Sequence, residues 1–432
     1  MLRSKQPPRH GTDFEQQIAD FTRRDRFRAF ELEPPRSKTG FRSDPVWRDL
    51  RAAGTELWLD SGDLDRNAAV WSGDFDGLTT NNTLLNREVQ KGIYDGFIAE
   101  AAAAIGEADP SIDDDALLLE LAFVLNALHG RRLARRFDAD VSVELHTSLC
   151  RDADLSYEYG RRYHAICPEH FVVKIAMTPE GLIAARRLEQ AGIRVNFTLG
   201  FSPRQNELIA RFAQPHFVNV FVGRVDALFA AMQPGADERP SAGIVAAIAS
   251  QRMLRERSHG AGRVRQIAAS LRDADQLAQL AGIDVITMPV AVAEAFVETG
   301  PQRRPIRDAT REAGTLDRFD AIDRDDPRHV FGVVERASLD AATELLLQHP
   351  DTLSGERIRA ILADLGLGDL FPRLSSTDAQ TLAAGGKLPD TANWERRVAD
   401  GHASWDGLLT EAGLAAFAAD QAELDERVRR QL

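Results

Sequence analysis

Cysteine is nearly absent from this chain. Its 432 residues include only Cys150 and Cys167, too few for a disulfide-stapled scaffold or a cysteine metal cage. So sparse a usage fits a reducing, cytoplasmic compartment. Long apolar runs are missing too. The N-terminus, MLRSKQPPRHGTDFEQQIADF, has no hydrophobic stretch and does not read as a signal peptide. The most apolar segment, Ala116 to His129, is interrupted by Glu120 and Asn126. It falls short of the ~20 apolar residues that a membrane span needs and reads as a buried helix. Positive charge is in deficit: 53 basic residues face 66 acidic ones, for a net charge of −13. That balance argues against nucleic acid or an anionic membrane as partner. No GxGxxG or P-loop pattern occurs, which disfavours a dinucleotide or ATP enzyme. The ten histidines have no metal-ligand spacing, so no metal and no cofactor is expected. Lysine is scarcest of the charged residues. Only Lys5, Lys38, Lys91, Lys174 and Lys387 occur, and the other 48 basic residues are arginine. A lysine in an unusual place therefore asks why arginine would not serve.

The first 45 residues are charged and Pro-containing and read as an arm, with one helical pattern near Phe14–Phe30. From about Thr55, short apolar runs alternate with longer amphipathic stretches. The runs span 56–60, 77–81, 140–145, 170–176, 194–199, 216–223, 265–270 and 284–289. Helical patterns lie between them, at Asn86–Ala104, at Pro179–Ala191 ending on Gly192, and at Ala274–Ala281 ending on Gly282. Strand–helix alternation implies parallel strands with helical crossovers. Eight strand candidates predict a closed (β/α)8 TIM barrel over 46–300, with an open doubly wound sheet as the runner-up. Residues 301–432 read as a polar linker followed by a mostly helical C-terminal extension, with helical patterns at 336–370 and 393–432.

Side chains alternate across a strand. In HFVVKIA, Phe171, Val173 and Ile175 share one face, and Lys174 lies on the other with Val172 and Ala176. The bulkier face should meet the helices, which points Lys174 into the barrel. By the same alternation Asp60, Ser142, Glu144, Asn196 and Thr198 oppose the apolar side of their strands, Asn219 lies among apolar neighbours and Ser270 closes its run. Polar residues that gather near the C-terminal ends of barrel strands mark the usual catalytic face. Burying charges without purpose is costly. A lysine in such a place can present a neutral amine, which attacks carbonyls to form a Schiff base, as arginine cannot. The bland alternative is an ion pair with Glu144 or Asp60. Those two carboxylates would supply the proton transfers of imine chemistry. Arg224, after the sixth run, with Ser270 and Arg272, after the seventh, form a candidate phosphate site. Cys150 and Cys167 read as inert, His146 as a loop residue, and His129, before Gly130, as a helix end.

Seven segments in order resemble the transaldolase family: LWLDSGD (57–63), GLTTNNTLL (77–85), VSVEL (141–145), VVKIAMTPEGLIAARRLEQAGIRVNFTLGFSPRQ (172–205), FVNVFVGR (217–224), IAASLR (267–272) and AGIDVITMP (281–289). The resemblance implies a metal-free Schiff-base mechanism. Lys174 would be the imine lysine, and Asp60 the group that takes and returns the substrate C4 hydroxyl proton. Glu144 and Thr198 would hold the water that relays protons. Asn81 and Asn196 would hold the dihydroxyacetone fragment, and Arg224, Ser270 and Arg272 the phosphate. The implied reaction moves dihydroxyacetone from a ketose phosphate, such as fructose 6-phosphate or sedoheptulose 7-phosphate, to an aldose phosphate. Fructose-6-phosphate aldolase, the related competitor, typically has Gln and Tyr where this chain has Glu144 and Phe221. Departures from the family pattern are Asn219 for Ser against the three-carbon fragment, Asn82 for Pro, and Ala176 for Pro. They leave open a specialised sugar as substrate. A catalytically silent sugar-phosphate-binding protein is the reading of a different class. The segments 1–45 and 301–400 are candidates to cover the barrel mouth or to form the contact of a homodimer.

Overall fold

A computed structural model of the chain describes residues 11–233, 241–257, 264–300, 305–312, 326–332, 336–349 and 352–432. Eight parallel strands close into a barrel in sequence order: β1 (Glu56–Asp60), β2 (Phe75–Thr79), β3 (Asp140–Glu144), β4 (Phe171–Ala176), β5 (Val195–Thr198), β6 (Phe217–Phe221), β7 (Arg265–Ala269) and β8 (Val285–Met288). Because β1 pairs with β8, the sheet has no edge, and the open doubly wound alternative is excluded.

Most outward residues are β-branched or aromatic ones that pack well on a pleated surface, with Leu57, Leu59 and Leu78 beside them. Phe171, Val173, Val141, Val143 and Phe197 are fully buried beneath the surrounding helices. The inward residues come in two layers. At the N-terminal end Trp58, Val172, Phe217, Ile267 and Val285 form a separate apolar plug. The indole of Trp58 lies edge-on to Phe217, with ring centroids 5.2 Å apart. It fits because position 77 is glycine: a Cβ there would lie 2.5 Å from the Trp58 ring. Above this plug most inward positions become polar, among them Asp60, Thr79, Ser142, Glu144, Lys174, Asn196, Thr198, Asn219 and Thr287, so the floor of the cup is apolar and its mouth is chemical.

Several sequence expectations shift. The second strand starts at Phe75 rather than 77 and ends at Thr79, because Asp76, which interrupts the apolar pattern, pairs outside the barrel with Lys38 and Arg51. Asn81 leaves the strand to cap the next helix, accepting from the Leu84 N–H at 2.9 Å. The helix expected over 86–104 is two helices, Asn82–Gln90 and Asp95–Ala108, broken where Gly92 adopts a φ of +78°. His129 is not at a helix end. It is buried within the helix Asp114–Phe137, where Gly130 permits close approach to the barrel: a Cβ there would lie 2.8 Å from Val143. That helix also contains the apolar segment 116–129, and no helix among the described residues is long and apolar enough to cross a membrane.

The helix Thr12–Thr22 packs on the outer helices Asp95–Ala108 and Ala153–Ile166. Residues 1–10 of the arm lie outside the described residues, as does most of the expected linker after Gly300. The helical extension follows as Arg336–Leu347, Gly355–Asp364, Ser376–Ala384, Thr391–Ala399 and Trp405–Arg429. The last of these crosses the mouth of the barrel. Its N-terminus is tied down by a buried cluster in which Arg204 donates to both oxygens of Asp406, at 2.7 and 2.8 Å, and Ser202 donates to Asp406 at 2.6 Å. Near its other end Arg427 pairs with Asp95 at 2.5 Å.

Candidate active site

The polar layer above the plug is one connected set. Lys174 on β4 is 4% exposed. Its ammonium donates to the Thr80 carbonyl at 3.0 Å and stands 3.6 Å from Glu144 Oε2, directly across the β3–β4 register. Asp60, at the end of β1, accepts from Thr79 Oγ1 at 2.9 Å, and Thr79 in turn bonds Thr287 at 2.9 Å. Burial raises the pKa of both Asp60 and Glu144 from the ordinary carboxylate range. The Lys174 charge pulls each back, with help for Asp60 from Thr79 and for Glu144 from the Asn82 backbone N–H. The two acids flanking the amine thus hold a proton more readily than surface carboxylates would.

Two buried oxygens in this layer have no hydrogen-bond partner, Glu144 Oε2 and Thr198 Oγ1. Unsatisfied polar atoms in a buried site cost about 1–3 kcal/mol each unless something fills the gap. A water or a substrate oxygen would satisfy both. Beside Lys174 in the β4–β5 register, Asn196 donates to Ser142 at 2.9 Å, while Asn219 donates to Asn196 and, at 3.0 Å, to the Phe197 carbonyl. Asn81 spends its side-chain carbonyl on the cap of the helix that follows β2.

The third part of the site is cationic. Arg224, in the first turn of Val222–Met232, is 5% exposed, and its Nη1 has no partner. Burial and the nearby Arg272 depress it to about 10, so it remains a cation at neutral pH. Ser270 adopts a φ of +65°, uncommon for a residue with a side chain. Gly223 makes this corner close: a Cβ there would lie 2.2 Å from the Ser270 carbonyl and 2.9 Å from Arg272. Phe221 lies beneath the guanidinium, 5.4 Å from it.

The helix Trp405–Arg429 closes the top with three residues from one face. The ring of Phe417 lies 5.9 Å from the Lys174 nitrogen and 5.6 Å from the Arg224 guanidinium. Gly413 passes Arg224 so closely that a Cβ would lie 2.8 Å from Nη1. Asp420 accepts from Thr83 on the helix that follows β2. In the sequence Phe417 is only one apolar residue of an amphipathic run. The spacing 413, 417, 420 on one helical face is the signal that would have found this surface, and the Thr80 carbonyl leaves no side-chain signal at all.

All eleven candidate residues therefore converge on one mouth: Lys174, Asp60, Glu144, Thr198, Asn81, Asn196, Asn219, Phe221, Arg224, Ser270 and Arg272. Other candidates fall outside it. Burial raises the thiols of Cys150 and Cys167, to about 11 and about 12, so neither is a thiolate at neutral pH. His146 caps a short turn by accepting from Ser148, and lies 3.4 Å from Asp425. Among the described residues no cluster of three or more His, Cys, Asp or Glu could hold a metal ion.

The family model described as transaldolase/fructose-6-phosphate aldolase matches residues 57–329. A probable transaldolase of Thermus thermophilus is 38% identical over 247 residues, covering 56% of this chain and 91% of the relative. The transaldolase of Xanthomonas campestris pv. campestris is 29% identical over 315 residues, covering 68% and 92%. That of Schizosaccharomyces pombe is 29% identical over 254 residues, covering 57% and 76%.

Proposed function

We propose that this chain, which belongs to the transaldolase/fructose-6-phosphate aldolase family, is a transferase that moves a dihydroxyacetone unit from a ketose phosphate to an aldose phosphate through an imine on Lys174. One observation carries the reading: a buried lysine amine 3.6 Å from a buried carboxylate, with a second carboxylate across the same mouth. An amine that serves only as an ion-pair partner needs neither the second acid nor the unpartnered oxygens around it.

In this reading each step has a residue to carry it. The Lys174 amine attacks the C2 carbonyl of the ketose. Glu144, with Thr198 and a water between them, shuttles the protons by which the carbinolamine loses water to give the imine. Asp60 takes the C4 hydroxyl proton, the C3–C4 bond breaks, the aldose phosphate leaves, and an enamine stays on Lys174. The enamine carbon then attacks the acceptor aldehyde, and Asp60 returns its proton to the new hydroxyl. Water hydrolyses the resulting imine and frees the amine. Asn81, Asn196 and Asn219 suit the hydroxyls of the three-carbon fragment, and Arg224, Ser270 and Arg272 suit the phosphate. Transfer requires the enamine to resist protonation by water between the two half-reactions. Phe417 above the amine and Phe221, with no phenol hydroxyl, both keep that space apolar.

Borohydride trapping tests the reading. Incubation with fructose 6-phosphate and borohydride should leave a stable adduct on Lys174, and Lys174→Ala should leave none. With erythrose 4-phosphate in place of borohydride, wild type should turn over, forming sedoheptulose 7-phosphate and releasing glyceraldehyde 3-phosphate continuously instead of one equivalent per site. Absence of an adduct rejects imine chemistry on this donor. Free dihydroxyacetone without acceptor would reassign the chain to aldol cleavage.

A further inference from the structure

Four of the five lysines lie in described residues, and three of them have carboxylate partners. Lys38 pairs with Asp76, Lys91 with Asp63 and Glu88, and Lys174 with Glu144. Lys387 makes no ion pair among the described residues. It belongs to the short connection between the helices Ser376–Ala384 and Thr391–Ala399. The first of these packs on the helix that covers the mouth. The second packs on Val222–Met232, whose first turn carries Arg224. The connection between them therefore runs from the covering helix to the helix that carries Arg224. The charges acting on Lys387 are those of Arg224, Asp420, Arg87 and Arg272, three cations and one carboxylate that is itself bonded to Thr83. Partial burial and then Arg224 make its ammonium less favourable than that of a free lysine.

Like charges gathered without a matching anion destabilise one another, and a bound anion relieves them. Arg224 Nη1 adds an independent sign of a missing ligand. It is a donor on a side chain that is 5% exposed, and nothing accepts from it. Arg272 flanks it at Gly223, and the charge of Arg224 is felt at Lys387. We propose that Lys387 is a specificity-determining residue, brought by the helical extension to the anion corner so that its ammonium joins Arg224 and Arg272 on the phosphate of a sugar-phosphate substrate. The inference rests on reading the barrel mouth as a sugar-phosphate site, and it deepens that reading by assigning part of the recognition to residues outside the barrel. It also accounts for lysine at 387. A flexible, compact ammonium can follow a phosphate on sugars of different length, whereas a planar guanidinium favours one fixed geometry.

The test uses the full chain and inorganic phosphate as the probe, titrated calorimetrically into wild type, Lys387→Ala and Lys387→Arg. Lys387 is exposed, so the variants should melt like wild type. The alanine variant should bind phosphate about fivefold more weakly, the worth of one partly exposed charge pair. The arginine variant should recover most of that loss, and the difference should shrink in about 0.5 M salt. KM for erythrose 4-phosphate should rise by the same factor in Lys387→Ala, while kcat and the KM for unphosphorylated glyceraldehyde stay unchanged. Equal phosphate affinity in wild type and Lys387→Ala overturns the proposal, as does a wild type that binds no phosphate. Borohydride trapping on the same samples separates the two readings. An adduct on Lys174 with unchanged phosphate affinity sinks only the role of Lys387. Weakened phosphate binding without any adduct sinks only the dihydroxyacetone transfer.

Discussion

Gly413 sits where the covering helix passes Arg224, and Gly413→Ala turns that closeness into a measurable effect. A Cβ there would lie 2.7 Å from Leu199 Cδ2 and 2.8 Å from Arg224 Nη1. Ordinary contact begins near 3.4 Å, so the two side chains must yield by about 0.6 Å. Both atoms are the ends of flexible side chains, so the backbone need not move. Alanine gains about 1 kcal/mol of helix propensity over glycine. Overpacking costs about 1–3 kcal/mol. The net loss of stability should therefore lie between about 0 and 2 kcal/mol, readable as a small shift in a denaturant midpoint. The guanidinium is displaced in the direction that matters. A hydrogen bond to a charged group is worth about 1.5–3 kcal/mol. Spoiling half of one should raise KM for erythrose 4-phosphate about three- to tenfold. The assay is steady-state transfer with phosphorylated and unphosphorylated acceptors side by side. Equal KM values in wild type and variant, or an equal kcat loss with both acceptors, would refute the account of Gly413 as clearance for Arg224.

Other outcomes follow from the same geometry. Asp60→Asn should lower kcat by at least about 100-fold, because the amide cannot accept the C4 hydroxyl proton. The same variant carries a pH signature. The folded Asp60 is raised above its ordinary value of 3.8, so its contribution to stability is fully present below that value and is lost as pH rises through the folded one. The melting temperature of Asp60→Asn minus that of wild type should therefore increase from pH 4 to pH 8, and a flat difference contradicts the buried-acid assignment. Phe417→Ala should raise free dihydroxyacetone release relative to transfer, since it admits water above the amine. An unchanged partition ratio would remove the ring from that role. Asp406→Ala should cost about 3–5 kcal/mol in chemical unfolding by leaving the buried Arg204 guanidinium without its main partner. A loss below about 1 kcal/mol would mean that the covering helix is anchored elsewhere.

Alternation made most of the barrel legible. Where one face is apolar and the other polar, as in β4 and β5, a period of two gives both the strand and the direction of Lys174 and Thr198. Glu56–Asp60 is recovered to the residue, because Leu57 and Leu59 leave only one way to face the helices. The failures have local causes. Asp76 hides the start of β2 because its partners, Lys38 and Arg51, are distant in sequence. His129–Gly130 imitates a helix terminus, while the glycine serves a contact with the barrel wall. Inside the site, the side chains near strand ends were visible. What covers them was not, because Phe417 reaches Lys174 across more than half the chain and amphipathic spacing cannot say which surface a helix will meet. His129 shows a further limit. Tyr94 bonds its Nδ1 at 2.8 Å and Arg132 bonds Tyr94 at 2.8 Å. Burial then lowers the imidazole to about 3, an environment that no spacing announces.

The closure of β1 against β8 has a consequence for how the molecule is assembled during translation. Every strand of the barrel has left the ribosome once Met288 has emerged, well before Trp405. The nascent chain can thus complete its hydrogen-bonded cylinder, with no free sheet margin to recruit other chains, while the pocket still stands open to water. A ribosome stalled between those two points would hold all eight barrel strands but not yet the helix that covers Lys174 and Arg224.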